Sequence, residues 1–311
     1  EKKIHKISRR MEGRWGEGMK RILLLLAMAL AAFAGCIGDG PDPDGSVEAD
    51  MVEAVDDLES YRFEIDMNQT VEFRNFDGNG SLDGETISLR WNGEINLTDQ
   101  SSTEVSISRR SALGGENAAE ETAEVYFTNS TLYQKMGDDW IGLFQPDPEY
   151  GIEKIDQLAH LMAMIERSEV VIEGSETIDG EEVYRLTVLP DDDTAYGIML
   201  GQISSVDPRI PLMIDMIGLF ERGRDLDWTV WASKETSLPT VSRISAVYVA
   251  GAGILRMPPE SPENLEIRIE TLEVRRFGGY NEPVMVELPE DVRSATVLLP
   301  DLPEEENVSL S

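Results

Sequence analysis

Short stretches in which apolar and polar residues alternate recur along the chain after residue 60, and dipeptides typical of tight turns separate them. Alternation with a period of two gives a strand one apolar and one polar face. Asn-Gly, Asp-Gly and Asn-Ser steps close antiparallel hairpins. The predicted strands cover 61–71, 86–98, 102–111, 124–128, 130–136, 168–178, 183–189, 227–232, 240–250 and 264–276. We therefore expect a long antiparallel meander.

Segments with helical periodicity interrupt these strands. The first covers 47–60, follows Ser46 as a suitable N-cap and carries acidic residues in its first turn. Broad apolar helices are expected over 150–167 and 208–222, and a short helix over 194–205. Together the elements predict an α+β fold in which one strongly curved antiparallel sheet carries helices over one face. No fixed repeat divides the chain, although its length permits two domains.

The segment from Met19 to Cys36 has the layout of an export signal. A basic start is followed by an apolar run from Ile22 to Ala34, which is too short to span a bilayer core about 30 Å thick. Phe33-Ala34-Gly35-Cys36 resembles the lipobox of bacterial and archaeal lipoproteins, in which the cysteine is lipidated and becomes the new N-terminus. An ordinary signal peptide with a coincidental cysteine is the alternative. Export would place the mature chain on the outer face of the cytoplasmic membrane, lipid-anchored through Cys36.

These boundaries predict five regions. Residues 1–18 are expected to be upstream sequence that is untranslated or disordered, and 19–35 to be the signal peptide. Residues 36–46 are rich in Gly, Pro and Asp and predict a flexible tether. The folded domain is expected over 47–290, and a disordered acidic tail over 291–311.

The charge of the chain bears on its partners. The formal net charge is −33, which disfavours nucleic acid and anionic membrane surfaces. The dispersed acidic residues are interpreted as a hydrated surface. Sequons that suggest N-glycosylation outside the cell occur at Asn68, Asn79, Asn96, Asn129 and Asn307. Archaeal lipoproteins often combine these features, and this chain resembles them.

The sequence offers little for catalysis, so we do not expect an enzyme. Cys36 is the only cysteine, and His160 is the only histidine after the signal segment. His160 lies within a predicted apolar helix, where a core or surface role is favoured over a catalytic one. We find no nucleophile motif, zinc motif or phosphate-binding loop, and expect no metal or cofactor.

Four phrases, in this order, resemble the LolA-like lipoprotein superfamily, which includes the LppX and LprG lipoproteins and the sensor domain of RseB. The first, Leu58-Glu-Ser-Tyr-Arg-Phe, resembles the point where the family's opening helix meets the first strand. Glu176-Thr-Ile-Asp-Gly-Glu-Glu-Val-Tyr-Arg-Leu is similar to a central hairpin. The last two are Trp228-Thr-Val-Trp-Ala-Ser-Lys-Glu-Thr-Ser-Leu-Pro-Thr and Arg276-Phe-Gly-Gly-Tyr-Asn-Glu-Pro-Val.

This resemblance implies an unclosed β-barrel whose helices cover the concave face and leave a cavity able to receive lipid or another apolar ligand. Adaptable methionines on the predicted helices are candidates to line it, or else only to fill the core. Met164 is one of these methionines. The candidate cavity residues are Met162, Ile165, Met213, Met216, Ile217, Phe220 and Trp231. The alternative function is a non-enzymatic surface interaction or sensor module with a filled core, which would bind another exported protein.

Overall fold

The computed structural model describes residues 47–74, 81–112, 118–136, 139–144, 155–206, 215–222, 224–251, 254 and 265–298. Its helices are α1 (Val47–Asp56), α2 (Gln157–Ile165), α3 (Asp192–Val206), α4 (Met216–Arg222) and α5 (Glu290–Arg293). The first six strands are β1 (Ser60–Arg74), β2 (Ser81–Asn96), β3 (Ser101–Ala112), β4 (Ala118–Thr128), β5 (Thr131–Met136) and β6 (Asp139–Phe144). The others are β7 (Ser168–Ile178), β8 (Glu181–Pro190), β9 (Arg224–Ser233), β10 (Pro239–Gly251), β11 (Glu266–Gly278) and β12 (Thr296–Leu298).

All the strands belong to one curved, unclosed sheet. Its 12 strands follow the order β12-β6-β5-β4-β3-β2-β1-β11-β10-β9-β8-β7. Most neighbours are consecutive in the chain, as short hairpin connections require, and β1 pairs with β11 where the two halves of the meander meet. The predicted meander is therefore confirmed. The sheet is nevertheless mixed, because β12 runs parallel to β6.

The central strand β1 sets the register of the covered face. Phe63 lies opposite Phe277 of β11 on one side and Gly93 of β2 on the other. A Cβ atom at Gly93 would lie 2.7 Å from the Phe63 ring and from the carbonyl oxygen of Thr103. The absence of a side chain at Gly93 leaves the space that the Phe63 ring occupies next to β2.

Helices cover the face that Tyr61, Phe63, Ile65 and Met67 share on β1, since period-two alternation places these side chains together. One buried cluster joins α1 and α2 to the strands around Trp228. A second cluster joins α3 and α4 to β10, β11 and the end of β1. The predicted fold, an α+β open barrel with helices over its concave face, is confirmed.

Residues beyond 290 are not simply a disordered tail as far as the structure describes them. Helix α5 buries Val292 completely, and β12 extends the sheet beside β6. The indole Nε1 of Trp140 also donates to Oδ2 of Asp291 over 3.0 Å. The prediction of disorder was wrong here because it used local composition, whereas these contacts join segments about 150 residues apart.

Within the described ranges, we find no helix with both the length and the apolar character needed to cross a lipid bilayer.

Candidate ligand-binding cavity

A half-open cavity of about 440 Å³ lies between the sheet and helices α2 and α3. This volume falls within the range of small-molecule sites. The sheet contributes Ile65, Met67, Leu89, Trp91, Glu273 and Arg275. The α2 side contributes Gln157, His160, Ala163, Met164 and Arg167, and the α3 side contributes Asp193, Thr194, Gly197, Ile198, Gly201 and Gln202. The floor is thus mainly apolar, with charged groups on one side.

The start of α2 is held against the sheet. Asp156 is its N-cap, and Oδ1 accepts hydrogen bonds from the backbone N–H groups of Leu158 and Ala159. The hydroxyl of Tyr61 on β1 donates to the same oxygen over 2.7 Å and accepts from Leu158 N over 3.0 Å. This cap fixes where one wall of the cavity begins.

The α3 wall is shaped by two glycines four residues apart, Gly197 and Gly201, which lie on the same side of the helix. A Cβ atom added at either position would have no other atom within 4 Å. A glycine within a helix costs about 0.5–1 kcal/mol relative to alanine, and here the missing side chains leave space. Sequence reasoning overlooked this pair, although glycines spaced i, i+4 in a predicted helix were a visible signal.

The start of α3 is also capped. Oδ1 of Asp191 accepts from the backbone N–H of Thr194 over 2.7 Å. Hydrogen bonds from Thr194, with a smaller contribution from the charge of Arg167, lower the pKa of Asp191. The cap keeps Thr194 and the first turn of α3 at the edge of the cavity.

The charged part of the floor is an ion pair between neighbouring inward-facing residues of β11. Nε of Arg275 donates to Oε1 of Glu273, and the two side chains are only 16 % and 7 % exposed. Oε2 of Glu273 accepts from Nε2 of Gln202 over 3.3 Å. Because both groups are largely withdrawn from water, this pair is much less screened than a surface salt bridge.

Gln202 is also part of a buried cluster of polar side chains that includes Gln69, Thr271 and Tyr248. Gln69 donates through Nε2 to Thr271 Oγ1 over 2.9 Å, and the Tyr248 hydroxyl donates to Oε1 of Gln202 over 3.1 Å. Among the described residues, Oε1 of Gln69 has no hydrogen-bond donor although it is buried. These polar side chains therefore lie on the covered face of the sheet, between the two apolar clusters.

A second buried carboxyl lies on β3. Glu104 is 5 % exposed, and desolvation by burial raises its pKa to about 7, although a hydrogen bond from Trp91 opposes the shift. Its Oε1 has no hydrogen-bond partner in the described part of the chain, and the same holds for Oγ of neighbouring Ser102. Glu104 does not line the cavity, but Trp91 contacts both.

None of the predicted cavity residues that the structure describes lines this space. Met162 and Ile165 are buried in the first core cluster, and Met216 is buried in the second. Ile217 is 63 % exposed, and Phe220 contacts the Tyr196 ring at a centroid distance of 5.5 Å.

Trp231 donates to Glu176, while its strand neighbours Val230 and Ala232 are buried in the core, so its side chain lies on the other face of β9. Met213 lies outside the described residues. None of the six described candidates lines this cavity, whereas Met164 does. The apolar stripe of α2 packs into the core, and the cavity lies beside Met164 at the edge of that stripe.

Of the predicted lipidation and glycosylation sites, some lie within the described residues and others do not. Cys36, Asn79 and Asn307 lie outside the described residues. Asn68 and Asn129 are exposed. Asn96 is half-buried, and its Nδ2 donates to the carbonyl oxygen of Val284 over 3.0 Å.

Among the described residues, we find no group of three or more His, Cys, Asp or Glu side chains that could hold a metal ion. His160 lies at the exposed rim of the cavity.

The chain matches no family model, and no curated protein matches its sequence. It is similar in structure to lipoprotein LppX from Mycobacterium tuberculosis, with 12% identity over 78% of this chain and 100% of the other and a TM-score of 0.37. For LprF from Mycobacterium bovis the identity is 16% over 80% and 98%, with a TM-score of 0.36. A LolA superfamily protein from Nitrosomonas europaea has 10% identity over 79% and 95%, with a TM-score of 0.23.

These proteins belong to the group that the sequence phrases resemble. The similarity concerns general architecture and carries no information on ligand or activity.

Proposed function

We propose that this chain is a non-enzymatic, lipid-anchored extracytoplasmic lipoprotein that binds lipid or another apolar ligand in the cavity between the sheet and helices α2 and α3. The cavity itself is the observation that supports this function. Its floor of Ile65, Met67, Leu89 and Trp91 gives an apolar chain a surface to cover. Removing such apolar surface from water favours ligand binding by about 25 cal/mol per Å² buried.

The shape of the α3 wall makes the proposal testable. Because side chains at Gly197 and Gly201 would enter open space, the double variant Gly197→Leu/Gly201→Leu fills the cavity without first disturbing the core. Thr86→Leu is the matched control. Thr86 lies on β2 directly before Ile87, which is buried in a cluster with Met67 on the covered face, and the Thr86 side chain therefore points to the opposite face.

The experiment compares lipid bound to each purified protein by native mass spectrometry and by organic extraction. The wild type and Thr86→Leu are expected to carry lipid, and the cavity-filled variant to lose most of it. A folded wild-type protein that is free of lipid and does not take up added lipid would contradict the proposal. Unchanged lipid content in the cavity-filled variant would place the ligand elsewhere.

Membrane attachment is a separate part of the proposal and rests on Cys36 and the apolar run before it. Cys36→Ser is expected to release the mature chain from the membrane fraction and to remove the mass of the lipid. Two lipid chains are needed for stable attachment. A wild-type protein with an unmodified Cys36 would contradict this part and leave the ligand site unaffected.

A further inference from the structure

The Arg275 side chain has more hydrogen-bond donors than the described part of the chain satisfies. Only Nε is paired, with Glu273, and the described residues provide no acceptor for the other N–H groups. These groups border the cavity, and the side chain is 16 % exposed. A desolvated guanidinium with unused donors is a suitable partner for a ligand oxygen.

The neighbouring carboxylate of Glu273 is not available to bind a cationic group of a ligand. Glu273 is largely buried and already accepts from both Gln202 and Arg275. A second guanidinium, that of Arg167, lies at the rim just beyond the end of α2. Among the residues that the structure describes, the other charged or titratable side chains at the rim are Asp193 and His160. The available donors therefore exceed the available acceptors near Arg275.

We infer that the ligand is an amphiphile with an anionic headgroup, a carboxylate or a phosphate, held by Arg275 and Arg167 while its chain lies on Met67, Leu89 and Trp91. This inference rests on the proposed function and assigns the headgroup. Guanidinium groups bind such oxygens in a bidentate manner. The net charge of −33 repels anions at long range, so recognition depends on these contacts.

The test compares ligands with one chain and different heads on purified protein freed of bound lipid, at about pH 8 where carboxylates are ionised. Dodecanoate and dodecyl phosphate carry the two anionic heads, dodecanol is neutral and dodecyltrimethylammonium is cationic. Calorimetry and tryptophan fluorescence, to which Trp91 contributes, measure the affinities. We expect the better anion to bind about tenfold more tightly than dodecanol, as for a charge-assisted hydrogen bond. Whichever of the two anions binds more tightly identifies the headgroup as a carboxylate or a phosphate.

Adjacent arginines on β11 provide a matched pair of variants. Arg275 faces the cavity, whereas Arg276 is exposed on the other face and donates to Oδ2 of Asp66 over 2.8 Å. Arg275→Met alone would leave Glu273 buried without its partner, so Arg275→Met/Glu273→Gln is the second variant. We expect the preference for the anion to fall to about onefold in this double variant and to persist in Arg276→Met.

The outcomes separate the two proposals. If dodecanol binds as tightly as both anions, the headgroup assignment is overturned and the apolar site stands. Tighter binding of the cationic ligand, or an unchanged preference for the anion in both Arg275 variants, would also overturn the assignment. If none of the four ligands binds, the proposed function fails together with this inference.

Discussion

The hydroxyl of Tyr61 donates a 2.7 Å hydrogen bond to Oδ1 of Asp156, which joins the first strand of the sheet to the N-cap of α2. The two residues are 95 positions apart in sequence. Burial and the nearby carboxylate of Asp156 raise the pKa of Tyr61, so the phenol remains a donor. Through this bond the sheet determines where one wall of the cavity begins.

We expect Tyr61→Phe to lower the free energy of unfolding by about 1–3 kcal/mol, because the cap loses a buried partner. Amide exchange in the first turn of α2 should also accelerate. Chemical denaturation and hydrogen exchange provide the two measurements. Tyr133→Phe on β5 is the control and should change neither. Unchanged exchange at Leu158 in Tyr61→Phe would mean that the hydroxyl does not support the cap.

The pH dependence of stability should identify Glu104. Its pKa is raised from 4.5 to about 7 in the folded chain, mainly by desolvation. The folded state therefore holds this proton more tightly than the unfolded state, and stability is lost as pH rises from about 4.5 to 7.

We expect Glu104→Gln to remove this loss. Relative to the wild type, the variant should gain up to about 3 kcal/mol on going from acidic to alkaline pH. Denaturant unfolding at a series of pH values measures the difference between the two proteins. Glu121→Gln on β4 is the control, because this side chain is exposed to water. Parallel pH profiles for wild type and Glu104→Gln would refute the assignment.

Two glycine substitutions should have opposite effects. Gly197→Ala adds a methyl group that meets nothing within 4 Å, and should stabilise the protein by about 0.5–1 kcal/mol through helix propensity. Gly93→Ala places Cβ 2.7 Å from the Phe63 ring and should destabilise it by about 1–3 kcal/mol through overpacking. Thermal unfolding distinguishes the two. Destabilisation by Gly197→Ala would show that the α3 wall is tighter than described.

Glycosylation should depend on the structure around each sequon. We expect glycans at Asn68 and Asn129, which are exposed, and an unmodified Asn96, whose Nδ2 bonds to the carbonyl oxygen of Val284. Nδ2 also donates to Oδ2 of Asp99 over 3.2 Å, and a glycan on this nitrogen would leave one N–H for these two hydrogen bonds. Glycopeptide mass spectrometry of protein from its native cells measures occupancy. A glycan at Asn96 would show that modification precedes the folding of the segment around Val284.

Much of the fold could be predicted because strands and turns have local signals. The strand 168–178 was predicted with the bounds of β7, and the Asp179-Gly180 turn after it has positive φ at both residues, as the dipeptide favours. Helix ends were less accurate. The structure describes the stripe predicted over 150–167 from residue 155 onward, where an α-helix begins after the N-cap Asp156 and ends at Ile165, before the predicted end. Asp156 is held by the distant Tyr61.

By itself, the sequence determined the strand periodicity, the hairpin turns and the apolar faces, since each depends on residues close together in the chain. Only the tertiary structure decided where the cavity lies, because the packing of α2 and α3 on the sheet leaves space beside Met164, whereas Met162 fills the core. It also decided that Arg275 faces inward beside Glu273 and that β12 pairs with β6. Such pairings join distant segments, and no local pattern encodes the space left between them.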